Sequence, residues 1–418
     1  MAEIHGGRVV AKALKAEDVT YVFTLCGGHV MPIYDGCIDE GIRVIDTRHE
    51  QTAAHAADGW ARVTGRPGVA VVTAGPGLTD AVTGVASAHR ANIPMLIFGG
   101  QGPRPFADMG SLQDMNHVEL MRPITKWAVS VPEGRRLAEY VSMAFRIATT
   151  GLPGPVYLEM PIDQLFNTYE QERLTFPTKY RTGAGIVMEQ LTGLAKSEGF
   201  SAAMVKPWLD ELRQRETQKS ERMRPELESD AVPINPLRAC KEIADVLPRN
   251  AIAIGDGGDF VATAASVLRI YEQGHWLDPG PLGTLGVGPG YAMAAKLAKP
   301  QSPVVIIYGD GSFGLHGMEF EAMVRQKINV VGIVGNDAAW QQIRRGQVQL
   351  YGEERAVATG LSFAHYEKVV EALGGHGEYV ERPEQIRPAV ERALGAGKPA
   401  LVNIKIGSSD FRKDAISI

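Results

Sequence analysis

At 418 residues the chain is too long for one ordinary core, and two domains are the natural reading. A net charge of −5 gives no pull toward nucleic acid or an anionic membrane, and no apolar run approaches the roughly 18 residues that a membrane span needs. Cys26, Cys37 and Cys240 show neither a CxxC pairing nor a metal spacing, which suits buried thiols in a reducing compartment. The opening Met1-Ala2-Glu3-Ile4-His5 lacks a basic-then-apolar signal pattern, so a cytoplasmic location is the expectation.

In chain order, residues 1–168 alternate helical patterns with apolar strands expected at 19–25, 43–47, 69–73, 95–99 and 156–160. That alternation is the signature of an α/β domain with a parallel sheet. Residues 169–233 read differently. Gly183-Ala184-Gly185 looks like a hinge, and Val205, Trp208, Leu209 and Leu212 have helical spacing before charges dominate through Arg224. This reads as a partly helical connector with a solvated face. Residues 234–418 repeat the first plan, with strands expected at 251–255, 304–308, 330–334 and 401–406. The expected fold class is therefore α/β, with two parallel-sheet domains joined by the connector.

The most informative residues are Gly309-Asp310-Gly311-Ser312-Phe313 and Gly335-Asn336-Asp337, in which Asn336 stands 26 positions after Asp310. Each motif ends a β-branched run. An Asp thus stands at the carboxyl end of one strand and an Asn at the end of the next, where open α/β sheets bind ligands. A carboxylate and an amide oxygen suit Mg²⁺, which keeps substrate phosphate in its shell. Glycines there, and in Gly255-Asp256-Gly257-Gly258-Asp259-Phe260, let backbone N–H groups approach a diphosphate. Glu50, in Thr47-Arg48-His49-Glu50-Gln51, marks a strand-to-helix junction. A Glu is favoured in a first helical turn by the macrodipole alone, and the motifs downstream are what turn the reading toward catalysis.

At these residues the chain resembles the thiamine-diphosphate (ThDP) enzymes of the pyruvate oxidase and acetolactate synthase type. The resemblance implies two ThDP-binding domains, pyrimidine-type then diphosphate-type. It implies that Asp310 and Asn336 hold Mg²⁺, with the Ala338 carbonyl as a third ligand. Glu50 would donate to the cofactor's pyrimidine ring. Within Gly280-Pro281-Leu282-Gly283-Thr284-Leu285-Gly286-Val287-Gly288, Leu285 would force the cofactor's bend and the Gly283 carbonyl would accept from its amino group. Gly75 and Pro76 would pack near the pyrimidine end. Asp256, Gly257, Asp259, Phe260, Gly311 and Ser312 would surround the diphosphate. His29, Gln113 and Glu354 would serve the substrate side.

Within that family, Leu25-Cys26-Gly27-Gly28-His29-Val30-Met31-Pro32-Ile33-Tyr34 is similar to the 2-hydroxyacyl-CoA lyase and oxalyl-CoA decarboxylase branch. So are Gly346-Gln347-Val348-Gln349-Leu350-Tyr351-Gly352 and the tail Ser409-Asp410-Phe411-Arg412-Lys413-Asp414-Ala415. Such lyases split a 2-hydroxyacyl-CoA into an aldehyde or ketone and formyl-CoA, or run the reverse condensation. The family normally carries a central domain where this chain has only the connector. The helical pattern from Met188 looks like the last helix of that lost domain. A natural short form and an engineered deletion both fit. Two alternatives stay open: a carboligase or decarboxylase acting on 2-oxo acids, and a ThDP-binding scaffold of low activity. The resemblance also implies a homodimer or homotetramer with active sites between subunits, a small-molecule acyl-CoA or aldehyde substrate, and neither nucleic acid nor membrane as partner.

Overall fold

The computed structural model describes residues 3–177, 192–199 and 201–407. The chain opens with β1 (Glu3–His5) and then builds a six-stranded, wholly parallel sheet. Its strands are β2 (Tyr21–Thr24), β3 (Arg43–Asp46), β4 (Gly68–Val72), β5 (Met95–Gln101), β6 (Trp127–Ser130) and β7 (Val156–Pro161). They lie in the order β3-β2-β4-β5-β7-β6. β8 (Thr168–Glu170) returns to pair antiparallel with β1. A second parallel sheet follows, from β9 (Ile252–Asp256), β10 (Trp276–Leu277), β11 (Val304–Gly309), β12 (Val331–Asn336), β13 (His376–Val380) and β14 (Ala400–Lys405). Its order is β10-β9-β11-β12-β14-β13.

Counted from its own first strand, each sheet has the same order. Both reverse their direction of winding beside that first strand, between β2 and β4 and between β9 and β11. A crevice opens at such a switch point, outside the strands' carboxyl ends. The central strands are near-continuous apolar runs because helices cover both faces; β4 is buried along its whole length, and so is β11 up to Gly309. Beyond the expected strands, the structure adds β6, β10 and β13 to the sheets and the β1–β8 pair. β6 is half-buried throughout, and only Val380 of β13 is buried, so neither edge strand carries a long apolar signal.

The connector divides its loyalties. Tyr169, Leu174 and Phe176 pack on the first sheet's core, so that unit's packing runs past residue 168. The helix Ala202–Leu227 reaches the second unit near its end, where Lys219 donates to the Ser266 carbonyl at 3.0 Å and Met223 is buried. Toward its start the expected apolar stripe is only partly covered, with Val205 and Leu209 half-buried and Trp208 60% exposed. The expected hinge at 183–185 and the helix start at Met188 lie outside the described residues.

One hydrophobic core crosses the boundary between the sheets. Ala53, Ala54, Ala56 and Ala57, on the helix Glu50–Thr64, join Tyr291 and Ala292–Ala295 of the helix Gly288–Ala298. Two glycines permit this approach. A Cβ on Gly59 would stand 2.9 Å from Tyr291 Cα, and one on Gly290 would stand 2.7 Å from the Thr52 carbonyl oxygen. Any side chain at either position would force the helices apart.

Candidate active site

At the switch point of the second sheet lies a cavity of about 330 Å³. Gly258, Leu285, Asp310, Ser312, Asp337 and Trp340 are among its walls, with Gly257, Gly283 and Gly311 between them. The glycines keep the space open. Gly257 has φ +152°, and a Cβ there would meet the Gly309 nitrogen at 2.7 Å. A Cβ on Gly311 would press into the Trp340 ring at 2.5 Å. Gly283, at φ +68°, sits in the left-handed region just before Leu285.

Three carboxylates line this cavity, of which Asp259 is paired with Arg345. Asp310 Oδ1 accepts from the Gly311 N–H at 2.8 Å and Oδ2 from the Ala339 N–H at 3.2 Å. Burial still pushes its pKa up to about 6. Asp337 is pushed up to about 8, first by burial and then by the charges of Asp310 and Asp259. Crowded, buried anions of this kind are stabilised by a cation. Asn336 is fully buried, and its amide nitrogen donates to the Ala364 carbonyl at 3.1 Å and to Asn403 Oδ1 at 3.2 Å. Its Oδ1 accepts from the Ala338 N–H at 3.3 Å. Ala338 itself, at φ +56°, turns its carbonyl to the Leu361 N–H at 2.7 Å. Each of these oxygens keeps a second lone pair. Among the described residues, no three His, Cys, Asp or Glu side chains form a metal cage. A carboxylate, an amide oxygen and a carbonyl beside a glycine-lined space are instead the donor set for Mg²⁺ carrying a diphosphate, and the residues fit that group.

Asp256 and Glu354 lie outside the cavity's walls, while Ser312 and Asp259 line it with their polar groups engaged by neighbours. The Asp256 carboxylate does not face the cavity; it accepts from the Gly286 N–H at 2.8 Å, the Gly288 N–H at 2.7 Å and the Ser312 hydroxyl. A carboxylate turned toward a diphosphate would repel it, whereas here it ties the Leu285 loop to the end of β9. Ser312 lines the cavity with its hydroxyl committed to Asp256. Asp259 is held in a bidentate pair with Arg345, at 2.6 and 2.5 Å, and so anchors the helix Gln341–Tyr351. Glu354 sits exposed on the turn Glu353–Arg355 and is not among the cavity's walls. Phe260 does line the cavity, with its ring over Gly335.

The switch point of the first sheet gathers two of the three residues expected on the substrate side, His29 and Gln113. His29 Nδ1 lies 3.1 Å from the Thr73 hydroxyl, which in turn lies 3.5 Å from Gln113 Oε1. Gln113 has φ +62° and crowds Gly75, where a Cβ would meet its side chain at 2.8 Å. The Gly75 N–H donates to His117 Nε2 at 2.8 Å. Burial holds His29 below the usual histidine range, so its ring is neutral near pH 7. Sequence reasoning passed over Thr73 and His117. A Thr ending a strand just before Gly75-Pro76 was the available signal for the first.

Glu50 opens its helix, capped by the His49 side chain, which accepts from the Gln51 N–H at 3.1 Å. It is buried, and burial pushes its pKa up. Its Oε1 reaches to 3.4 Å from where a Cβ on Gly77 would stand, so it faces the turn that begins the helix Pro76–Arg90. The two switch points belong together. Gln51 Nε2 lies 3.5 Å from the Leu285 carbonyl, the Arg48 N–H donates to both Glu319 oxygens at 3.0 and 2.9 Å, and the His49 and His316 rings stand 5.4 Å apart.

Glu50 thus opens a helix whose next residue meets the Leu285 loop, beside a glycine-lined cavity. The chain belongs to the thiamine pyrophosphate (thiamine diphosphate) enzyme family. The N-terminal TPP binding domain of that family matches residues 4–120, and the C-terminal TPP binding domain matches residues 256–404. The chain is similar to the acetolactate synthase large subunit IlvG of Mycobacterium tuberculosis, at 33% identity over 96% of this chain and 95% of that protein. It is similar to the human 2-hydroxyacyl-CoA lyase 2, at 30% identity over 99% of this chain and 92% of that protein. The bovine 2-hydroxyacyl-CoA lyase 2 is 31% identical over 99% and 92%. The first of these alignments spans 523 positions, 105 more than this chain has residues. No helix among the described residues is long and apolar enough to cross a membrane.

Proposed function

We propose that this protein is a ThDP- and Mg²⁺-dependent carbon–carbon lyase. It splits a 2-hydroxyacyl-CoA into an aldehyde or ketone and formyl-CoA, or joins them in reverse. The bound cofactor supplies a nucleophilic carbon for attack on a carbonyl. The chain's residues do the rest. Asp310, Asn336 and the Ala338 carbonyl hold the cation; Glu50 holds a proton at the pyrimidine ring; Leu285 sets the cofactor's shape; His29, braced by Thr73, offers a neutral imidazole to a substrate oxygen.

The observation that carries the choice of substrate is the cavity's charge. Among the described residues no Lys or Arg lines it, and nearby Arg344 and Arg345 are paired with Glu353 and Asp259. A free 2-oxo acid would bring a carboxylate with no cation to meet it, whereas a thioester or aldehyde carbonyl is neutral. The similarity to 2-hydroxyacyl-CoA lyases over nearly the whole chain supports the same reading. The similarity to an acetolactate synthase favours the second reading, a carboligase acting on 2-oxo acids. Purified protein with ThDP and Mg²⁺ should release aldehyde from a 2-hydroxyacyl-CoA faster than it consumes pyruvate. Turnover of 2-oxo acids alone would select the second reading, and turnover of neither would leave a cofactor-binding scaffold.

A further inference from the structure

We propose that His117 is a positioning residue: braced by Glu159, it holds the Gly75 peptide and through it keeps Gln113 in place on the substrate side of the site. That a substrate side lies there rests on the reading above. The bonds that carry the proposal all lie within the first sheet's unit.

His117 is fully buried at the start of the helix His117–Met121, and Glu159 is buried on β7. The His117 Nε2 accepts from the Gly75 N–H at 2.8 Å, and its Nδ1 lies 3.4 Å from Glu159 Oε1. An N–H needs a lone pair opposite it, and a carboxylate oxygen needs a donor. Both neighbours therefore set one tautomer, with the ring proton on Nδ1. With both nitrogens engaged and no exposed surface, the ring acts through what it holds and does not touch substrate.

Gly75 is where such a hold is needed. It adopts φ +58° and ψ −117°, and a Cβ there would meet Gln113 Cβ at 2.8 Å and Cα at 3.1 Å. Only glycine fits, and a glycine peptide turns easily. Its carbonyl accepts from the Leu78 and Thr79 N–H groups, which start the helix Pro76–Arg90; its N–H is held by His117. Gln113 itself sits at φ +62°, where a residue with a side chain stays only if its surroundings hold it. Gln101 secures the loop that carries Gln113. Its Oε1 accepts from the Gly102 N–H at 2.7 Å, and its Nε2 donates to the Met115 carbonyl at 3.0 Å and to the same Glu159 oxygen at 3.3 Å. Glu159 thus joins both ends of residues 102–115 to the ring that fixes Gly75. Gln113 Oε1 lies 3.5 Å from the Thr73 hydroxyl that braces His29, so a displaced Gly75 would disturb the group offered to the substrate.

The two amide replacements of His117 tell its nitrogens apart. His117→Gln can put an acceptor oxygen where Nε2 stands; His117→Asn reaches only as far as Nδ1. H117N should lower kcat/KM about five- to tenfold, the worth of one hydrogen bond. H117Q should recover most of that loss, and calorimetry should find ThDP binding unchanged in both. In a Gln113→Ala background, H117N should lower kcat/KM by less than about twofold further, because its effect passes through Gln113. Equal losses in H117N and H117Q, or the full loss on top of Gln113→Ala, overturn the proposal. The ratios are taken on whichever substrate the wild type consumes, so a 2-oxo acid in place of a 2-hydroxyacyl-CoA would sink the lyase reading and leave this test intact. NMR of protein labelled with ¹⁵N-histidine needs no turnover at all. The His117 ring, assigned by its absence in H117Q, should carry its proton on Nδ1; a proton on Nε2 overturns the proposal whatever the cofactor does.

Discussion

Tyr291 donates its hydroxyl to Asp58 Oδ2 at 2.7 Å, joining a helix of the second unit to one of the first. Both residues are fully buried. Burial pushes the Asp58 pKa up while the Arg62 charge pulls it back. Arg62 completes the group, with its ring-face approach to Tyr291 at 5.1 Å. The two units are thereby fastened by a charge that has left water, which is tolerable only while every partner is present.

Removing members of this triad should therefore cost unequal amounts. Tyr291→Phe leaves Asp58 with both Arg62 contacts and should cost about 1 kcal/mol, the net worth of one hydrogen bond. Asp58→Ala strands a buried guanidinium and should cost about 3–5 kcal/mol. Urea denaturation of both variants beside the wild type measures this. Equal costs would mean that the carboxylate is not the centre of the group.

The Thr73 hydroxyl braces the His29 ring in the proposed reaction. Thr73→Val should lower kcat about five- to tenfold with little change in KM, and Thr73→Ser should restore most of it, since one hydrogen bond is at stake. Equal losses in the Val and Ser variants would assign Thr73 to packing.

How much of this could be read in advance depends on distance along the chain. The runs at Val304–Gly309 and Gly68–Val72 announced themselves because both faces are buried, so every position is apolar. The places of Asp310, Asn336 and Glu50 at a strand end or helix start were legible because each motif couples a strand end to glycines or a helix start within a few residues. The partners of Asp256 lie 30 and 32 positions away, and those of Asp58 and Tyr291 lie 233 apart. No local pattern reports such pairs. Hence the sequence offers Asp256 for the diphosphate and gives no sign of its bonds to Gly286 and Gly288. The crowding of Asp337 against Asp310 was hidden for the same reason.

Asp310→Ala should abolish ThDP retention at micromolar cofactor. The diphosphate would then meet Asp337 without a well-held cation between them. Calorimetric titration with ThDP and Mg²⁺ is the measurement, and wild-type affinity in the variant would remove Asp310 from the metal site.

Glu50→Gln should fold and bind ThDP nearly as the wild type does, because an amide fills the same space. Cofactor activation should slow by on the order of 10²–10⁴, the usual worth of a positioned acid. Proton–deuterium exchange at the thiazolium carbon, followed by NMR, reports that step. An unchanged rate would leave Glu50 as a helix-terminus residue only.

The last prediction concerns two histidines between the units. Burial lowers the His55 pKa to about 3 and the His316 pKa to about 4, from 6.5, with His49 adding repulsion to both. In each ring Nδ1 is buried without a partner, so a proton there would gain no acceptor. Both rings are therefore neutral in the fold and take up protons on unfolding. Their contribution is fully present above pH 6.5 and is lost as pH falls from 6.5 toward 4 for His316 and 3 for His55. Glu319, pushed up to about 7 by burial, has the opposite sign: its contribution is present below its ordinary range near 4.5 and is lost as pH rises toward 7. Other raised carboxylates share that sign, so the whole-protein profile mixes both. The difference between variant and wild type does not. His316→Gln removes one proton uptake, and its stability relative to the wild type should rise by up to about 1.4 kcal/mol per pH unit below 6.5. His55→Gln should show the same slope continuing to lower pH. Urea midpoints at pH 7.5, 6.0 and 5.0 measure it. Profiles that stay parallel to the wild type would show that these rings already carry their protons in the folded protein.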